Sequence, residues 1–73
     1  MQDNKEPLKS KTGVVTEALP NTLFKVKFDD EENEMLTYLA GKMRLHRIRV
    51  LIGDKVIVEI EPYGGKGRIV KRL

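Results

Sequence analysis

The chain has no cysteine and no tryptophan, a single serine (Ser10), a single histidine (His46) and only four aromatic rings. Without cysteine there is no disulfide to staple a 73-residue fold and no thiolate to hold zinc. With one serine, one histidine and no thiol, a nucleophile–base–orienter set cannot be assembled, so the chain is expected not to be an enzyme and to need no cofactor. Long apolar runs are missing too. No stretch approaches the ~18 residues of a membrane span, and the polar start Met1-Gln2-Asp3-Asn4-Lys5-Glu6 lacks a signal-peptide core. The expectation is a soluble, unexported, cytoplasmic protein, and the lack of cysteine fits a reducing compartment.

What remains is small and charged. A chain of this length buries only about 60% of its unfolded surface, so one domain of a few kcal/mol stability is expected. The net charge is +3, but residues 1–40 hold five Lys/Arg against eight Asp/Glu, while residues 41–73 hold nine against three. A C-terminal half at +6 predicts a polyanionic partner.

Residues 1–8 read as a mobile tail and 9–73 as the folded domain. Gly13–Leu19 is rich in β-branched residues and stops at Pro20-Asn21, a turn signal. Thr22–Phe28 alternates, with Phe24, Val26 and Phe28 on one face and Lys25 and Lys27 on the other. These two segments predict a hairpin. Five acids fall within Asp29–Glu34, but the EF-hand spacing and its glycine are absent, so a solvated loop is expected rather than a metal site. Met35–Ala40 reads as a third strand, Lys55–Glu61 as a fourth and Arg68–Leu73 as a fifth. Glu59 and Glu61 share a strand face and read as solvent-facing charges. Gly64-Gly65-Lys66-Gly67 lacks the spacing and the Ser/Thr of a phosphate-binding loop.

Gly41–Val50 is the most informative stretch. Lys42, Arg44, Arg47 and Arg49 alternate with Met43, Leu45, Ile48 and Val50 as candidate core anchors. Met43 and Leu45 do not share a helical stripe with Ile48, so one or two helical turns leading into an extended 48–52 segment are expected. Five short strands with a helical insert between the third and fourth describe an all-β, five-stranded OB-fold barrel. An SH3-like barrel is the alternative.

Binding chemistry is well supplied. The candidate contacts are Lys42, Arg44, Arg47, Arg49, Lys66, Arg68, Lys71 and Arg72, with Lys25 and Lys27 adding to a sheet face. Arginine predominates, and its planar fork suits phosphate and base edges. Phe24 and Phe28 point inward by their alternation, leaving Tyr38 and Tyr63 as outward rings. Two rings are too few for serial base stacking, so docking on a folded RNA through backbone and shape is favoured. Two other readings are a cold-shock-type RNA chaperone and a structural ribosomal or transcription-complex subunit.

Leu19-Pro20-Asn21, Phe24-x-Val26, Gly41-Lys42-Met43-Arg44, Ile48-Arg49, Gly53-Asp54-Lys55-Val56, Pro62-Tyr63 and Lys66-Gly67-Arg68-Ile69, taken in order, closely resemble bacterial translation initiation factor one. The resemblance implies an OB-fold bound to the small ribosomal subunit at the aminoacyl-tRNA site. It also implies contacts with rRNA and a neighbouring ribosomal protein, cooperation with initiation factors two and three, and a monomer off the ribosome. By the same resemblance Lys42, Arg44, Arg49, Lys66 and Arg68 are rRNA contacts, and Arg72 stands where the family is usually basic. Relative to the family pattern, the acidic loop is longer and the Gly64-Gly65 hinge shorter, each by a residue. Leu45, His46 and Arg47 occupy positions that vary.

Overall fold

The computed structural model describes residues 9–61 and 64–73; the expected tail 1–8 and the outward ring of Tyr63 lie outside them. Five strands and one helix follow in order: β1 (Lys9–Ala18), β2 (Leu23–Phe28), β3 (Glu34–Leu39), α1 (Gly41–Leu45), β4 (Lys55–Ile60) and β5 (Gly67–Arg72). The sheet closes as β1-β2-β3-β5-β4, with β4 returning to β1. All pairs are antiparallel except β3 with β5, where Tyr38 stands beside Arg68. The architecture is the five-stranded OB-fold barrel expected from the sequence, with its short helix between the third and fourth strands. Closure leaves no sheet edge to be covered, which suits a chain without disulfides.

β1 makes closure possible because it pairs on both sides. Val14 faces Lys27 of β2 and Lys55 of β4, and a bulge between Val15 and Glu17 bends the strand from one partner towards the other. At Gly13 a Cβ would lie 2.7 Å from the Lys27 carbonyl oxygen, so the close approach of β1 and β2 requires glycine.

Period-2 patterning sets the inside. Val15, Val26, Phe28, Val56, Val58 and Ile69 are all but inaccessible, and Lys27 between Val26 and Phe28 is exposed. Thr37 is the one buried polar residue among those described, and its hydroxyl donates to the Phe24 carbonyl at 2.8 Å.

Two expectations for the 41–52 stretch need correction. Leu45 is not a core anchor: it is 75% exposed while Met43 is 1% exposed. Two residues advance a helix by about 200°, so with Met43 inward Leu45 must face water. Nor is 48–52 a strand. Gly53 N–H donates to the Val15 carbonyl, the Asp54 carbonyl accepts from Val15 N–H, and the Asp54 carboxylate accepts from Leu51 N–H at 2.8 Å. These bonds fold 51–54 into a turn docked on the β1 bulge. Val50 alone of 48–52 is buried, and Ile48, Leu51 and Ile52 stay exposed.

Candidate nucleic-acid interface

α1 owes its position to its two ends. At its start, Ala40 N–H donates to the Ile69 carbonyl at 2.9 Å, tying the helix to β5, and Met43 sinks into the barrel core. At its end, Arg47 takes a left-handed conformation (φ 54°). Arg47 N–H donates to the Arg44 carbonyl at 3.1 Å and Ile48 N–H to the Met43 carbonyl at 2.9 Å. That pair of bonds is a Schellman cap, with Arg47 where glycine is usual. The cap reverses the chain within two residues and leaves Lys42 and Arg44 exposed in the last turn, where the helix dipole favours cations.

β5 supplies the second row. It begins at Gly67, where a Cβ would meet Val58 Cγ1 at 2.6 Å and Met35 Sδ at 3.0 Å. Only glycine lets β5 press against β3 and β4 there, with exposed Lys66 before it and Arg68 after it. Lys71 and Arg72 end the strand, both exposed.

Helix and strand enclose two adjoining grooves. One, of about 500 Å³, lies over β4 and β5 and is lined by Lys42, Ile57, Glu59, Arg68, Val70 and Lys71, with Ala40 at its end. The other, of about 660 Å³, lies between α1 and β5 and is lined by Lys42, Met43, His46, Ile48, Val70, Lys71 and Arg72. Lys42, Val70 and Lys71 belong to both, so they stand on the divide. Of the candidate cations, the structure thus brings Lys42, Arg68, Lys71 and Arg72 together. Arg44, Arg47, Arg49 and Lys66 are exposed but line neither groove. Lys25 lies apart on β2, paired with Glu17 at 3.6 Å.

The cations are not equivalent. Arg68 Nη2 donates to Glu59 Oε1 at 2.7 Å, and this hydrogen bond holds the guanidinium above its already high ordinary pKa. Arg72 Nη1 donates to the Arg49 carbonyl at 2.9 Å, so it fastens the 48–50 segment to β5. Lys42, Arg44, Arg47, Arg49, Lys66 and Lys71 make no salt bridge among the described residues. A row of unpaired cations over apolar groove floors can take phosphate oxygens without first breaking an internal bond. His46 was not signalled by the charge pattern; its i, i+4 spacing from Lys42 is the sequence feature that sets it on the same side of the helix.

The acids of 29–34 lie in the turn between β2 and β3 and at the start of β3. Lys11 pairs with Asp30 at 3.7 Å and with Glu31, and Lys55 with Asp29 at 3.6 Å. Lys11 also lies 5.4 Å from the Phe28 ring centroid. The hydrogen bond that Lys11 donates to the Glu31 carboxylate, more than any other cause, raises the Lys11 pKa above its ordinary value. The described residues hold no cluster of His, Cys, Asp and Glu able to bind a metal ion, and no helix among them is long and apolar enough to cross a membrane.

Similarity to known proteins agrees with this geometry. The solution structure of translation initiation factor one from the Wolbachia endosymbiont strain TRS of Brugia malayi is 39% identical, matches 97% of this chain and 84% of that one, and superposes with a TM-score of 0.79. The crystal structure of YjeQ from Thermotoga maritima matches 89% of this chain at 26% identity with a TM-score of 0.76, but over only 23% of its own length. The model of the translation initiation factor 1A / IF-1 family matches residues 2–73. On that match, over nearly the whole sequence, the chain belongs to the translation initiation factor 1A / IF-1 family, whose members are non-enzymatic factors.

Proposed function

We propose that this initiation factor binds the small ribosomal subunit at the aminoacyl-tRNA site through rRNA contacts, and that it cooperates there with initiation factors two and three. The family membership supplies the translation-initiation role. The observation that carries the RNA grip is the set of unpaired cations: Lys42 and Lys71 line both grooves, and Arg44, Arg47, Arg49 and Lys66 are exposed outside them. Arg68 and Arg72 contribute from positions held by Glu59 and the Arg49 carbonyl. Lys25, paired with Glu17, is the outlying contact. Tyr38 is a half-exposed ring beside Arg68, which supports docking on folded RNA in preference to serial base stacking. A neighbouring ribosomal protein as a further contact, and a monomer off the ribosome, belong to the same reading.

Sucrose-gradient fractionation tests it. The protein is expected to co-migrate with small subunits and to leave when large subunits join. Co-migration with joined ribosomes after a high-salt wash would instead mark a permanent ribosomal subunit. Affinity for short unstructured RNA equal to that for small subunits would mark a general RNA chaperone.

A further inference from the structure

We propose that Glu59 is a specificity-determining residue of this RNA interface: it admits a hydrogen-bond donor of the RNA to the groove over β4 and β5 and turns a phosphate away. The proposal rests on the RNA-binding reading above. Glu59 and Arg68 are direct cross-strand partners, so both side chains stand on the outer face, and their ion pair forms part of the groove wall. Glu59 is the one acid lining either groove among the described residues, set against Lys42, Arg68 and Lys71. An exposed ion pair contributes little to stability, which leaves the conspicuous acid unexplained by folding.

Its geometry supplies a reason. Oε1 is occupied by Arg68 Nη2, while Oε2 accepts no hydrogen bond among the described residues. Glu59 retains 29% of its side-chain accessibility and Arg68 41%, so RNA can reach both. A phosphate drawn in by the lysines would meet the carboxylate as a like charge. A 2′-hydroxyl or a base amino group would instead donate to Oε2, with the ribose or base against Ile57 and Val70. A groove of lysines and arginine alone would take any polyanion. With Glu59 in place it favours an RNA that presents a donor at that point.

The test compares the wild type with Glu59→Gln on four probes: small subunits, heparin, a short mixed-sequence RNA and DNA of the same sequence. Glutamine keeps the shape and its amide oxygen can still accept from Arg68, and circular dichroism verifies the fold. The variant should bind heparin and DNA about 3- to 10-fold tighter while binding small subunits no tighter, so that the preference for small subunits falls at least about 3-fold. Glu59→Asp, which keeps the charge, should retain most of the preference. If the donor is a 2′-hydroxyl, the RNA-to-DNA ratio of the short probes also falls in Glu59→Gln. If it is a base amino group, that ratio holds and only the small-subunit preference is lost. A preference for small subunits over heparin that is unchanged in Glu59→Gln overturns the proposal. A wild type with no such preference strikes the RNA-binding reading itself.

Discussion

The acidic turn between β2 and β3 and the basic face of α1 and β5 are treated differently by the fold. The acidic turn 29–34 is answered from within: Lys11 reaches Asp30 and Glu31 from β1, and Lys55 reaches Asp29 from β4. On the α1–β5 side, Lys42, Arg44 and Lys71 have no carboxylate partner among the described residues. Density of like charge in the sequence is therefore a poor guide to what is free to bind. Five acids in six residues are the densest run in the chain, yet three of them are already engaged. The sparser cations are the ones left open to a partner.

Charge reversal should break this contrast most visibly. Lys42→Glu combined with Lys71→Glu places two acids on the divide between the grooves and should lower small-subunit affinity at least about 100-fold, about 2.7 kcal/mol. The matching reversal at the acidic end, Glu32→Lys with Glu34→Lys, should change affinity by no more than about 3-fold, since it touches neither groove. Equilibrium binding to purified small subunits reads both. Equal losses at the two ends would mean that overall charge, rather than this face, governs binding.

A neutral change sharpens the same comparison. Lys42→Gln should reduce the slope of log affinity against log salt by about one unit, the signature of one lost phosphate contact. Lys11→Gln should leave the slope as it is. An unchanged slope for Lys42→Gln would remove that lysine from the phosphate contacts.

The barrel was legible in the sequence because its strands alternate. Phe24, Val26 and Phe28 against Lys25 and Lys27 predict which face is buried, and the structure agrees. Strand ends other than Phe28 and Lys55 moved by a residue or more, furthest at β1, which starts at Lys9 because β4 pairs with it from there; local pattern carries no trace of that long-range partner. The cap at Arg47 was hidden for a different reason. Its signal is ordinarily glycine, and arginine there gives no hint that the helix will stop after Leu45. Of the candidate interface, the residue types and their rough neighbourhood could be read from charge and from the family resemblance. Which cations are held by Glu59, Glu17 or the Arg49 carbonyl could not, because those partners lie 9, 8 and 23 residues away and meet only when the barrel closes.

Arg47 separates folding from binding on the basic face. Its left-handed φ costs a residue with a Cβ about 1 kcal/mol that glycine would not pay. Arg47→Gly should therefore raise stability by about 0.5–1 kcal/mol in urea unfolding, while small-subunit affinity falls by no more than about 10-fold through the lost charge. A variant that is both less stable and unable to bind would show that the Arg47 side chain holds the 44–50 segment together.

The smallest effect is expected at the acidic end. Because Glu31, first among its causes, raises the Lys11 pKa above the ordinary 10.5, the ammonium is favoured by folding. Its contribution is fully present below the unfolded pKa and is lost as pH rises through the higher folded value. Lys11→Met removes that contribution, so the variant should melt within a few degrees of the wild type at pH 7. The difference should shrink as pH is taken above 10.5 and Lys11 of the wild type loses its proton. Since the Lys11 side chain also lies against the Phe28 ring, methionine keeps the apolar stem there and confines the comparison to charge. A gap that stays constant across that alkaline range would mean that the Lys11 charge is not its source, and the ion pair with Asp29 that holds the acidic turn would then be that of Lys55.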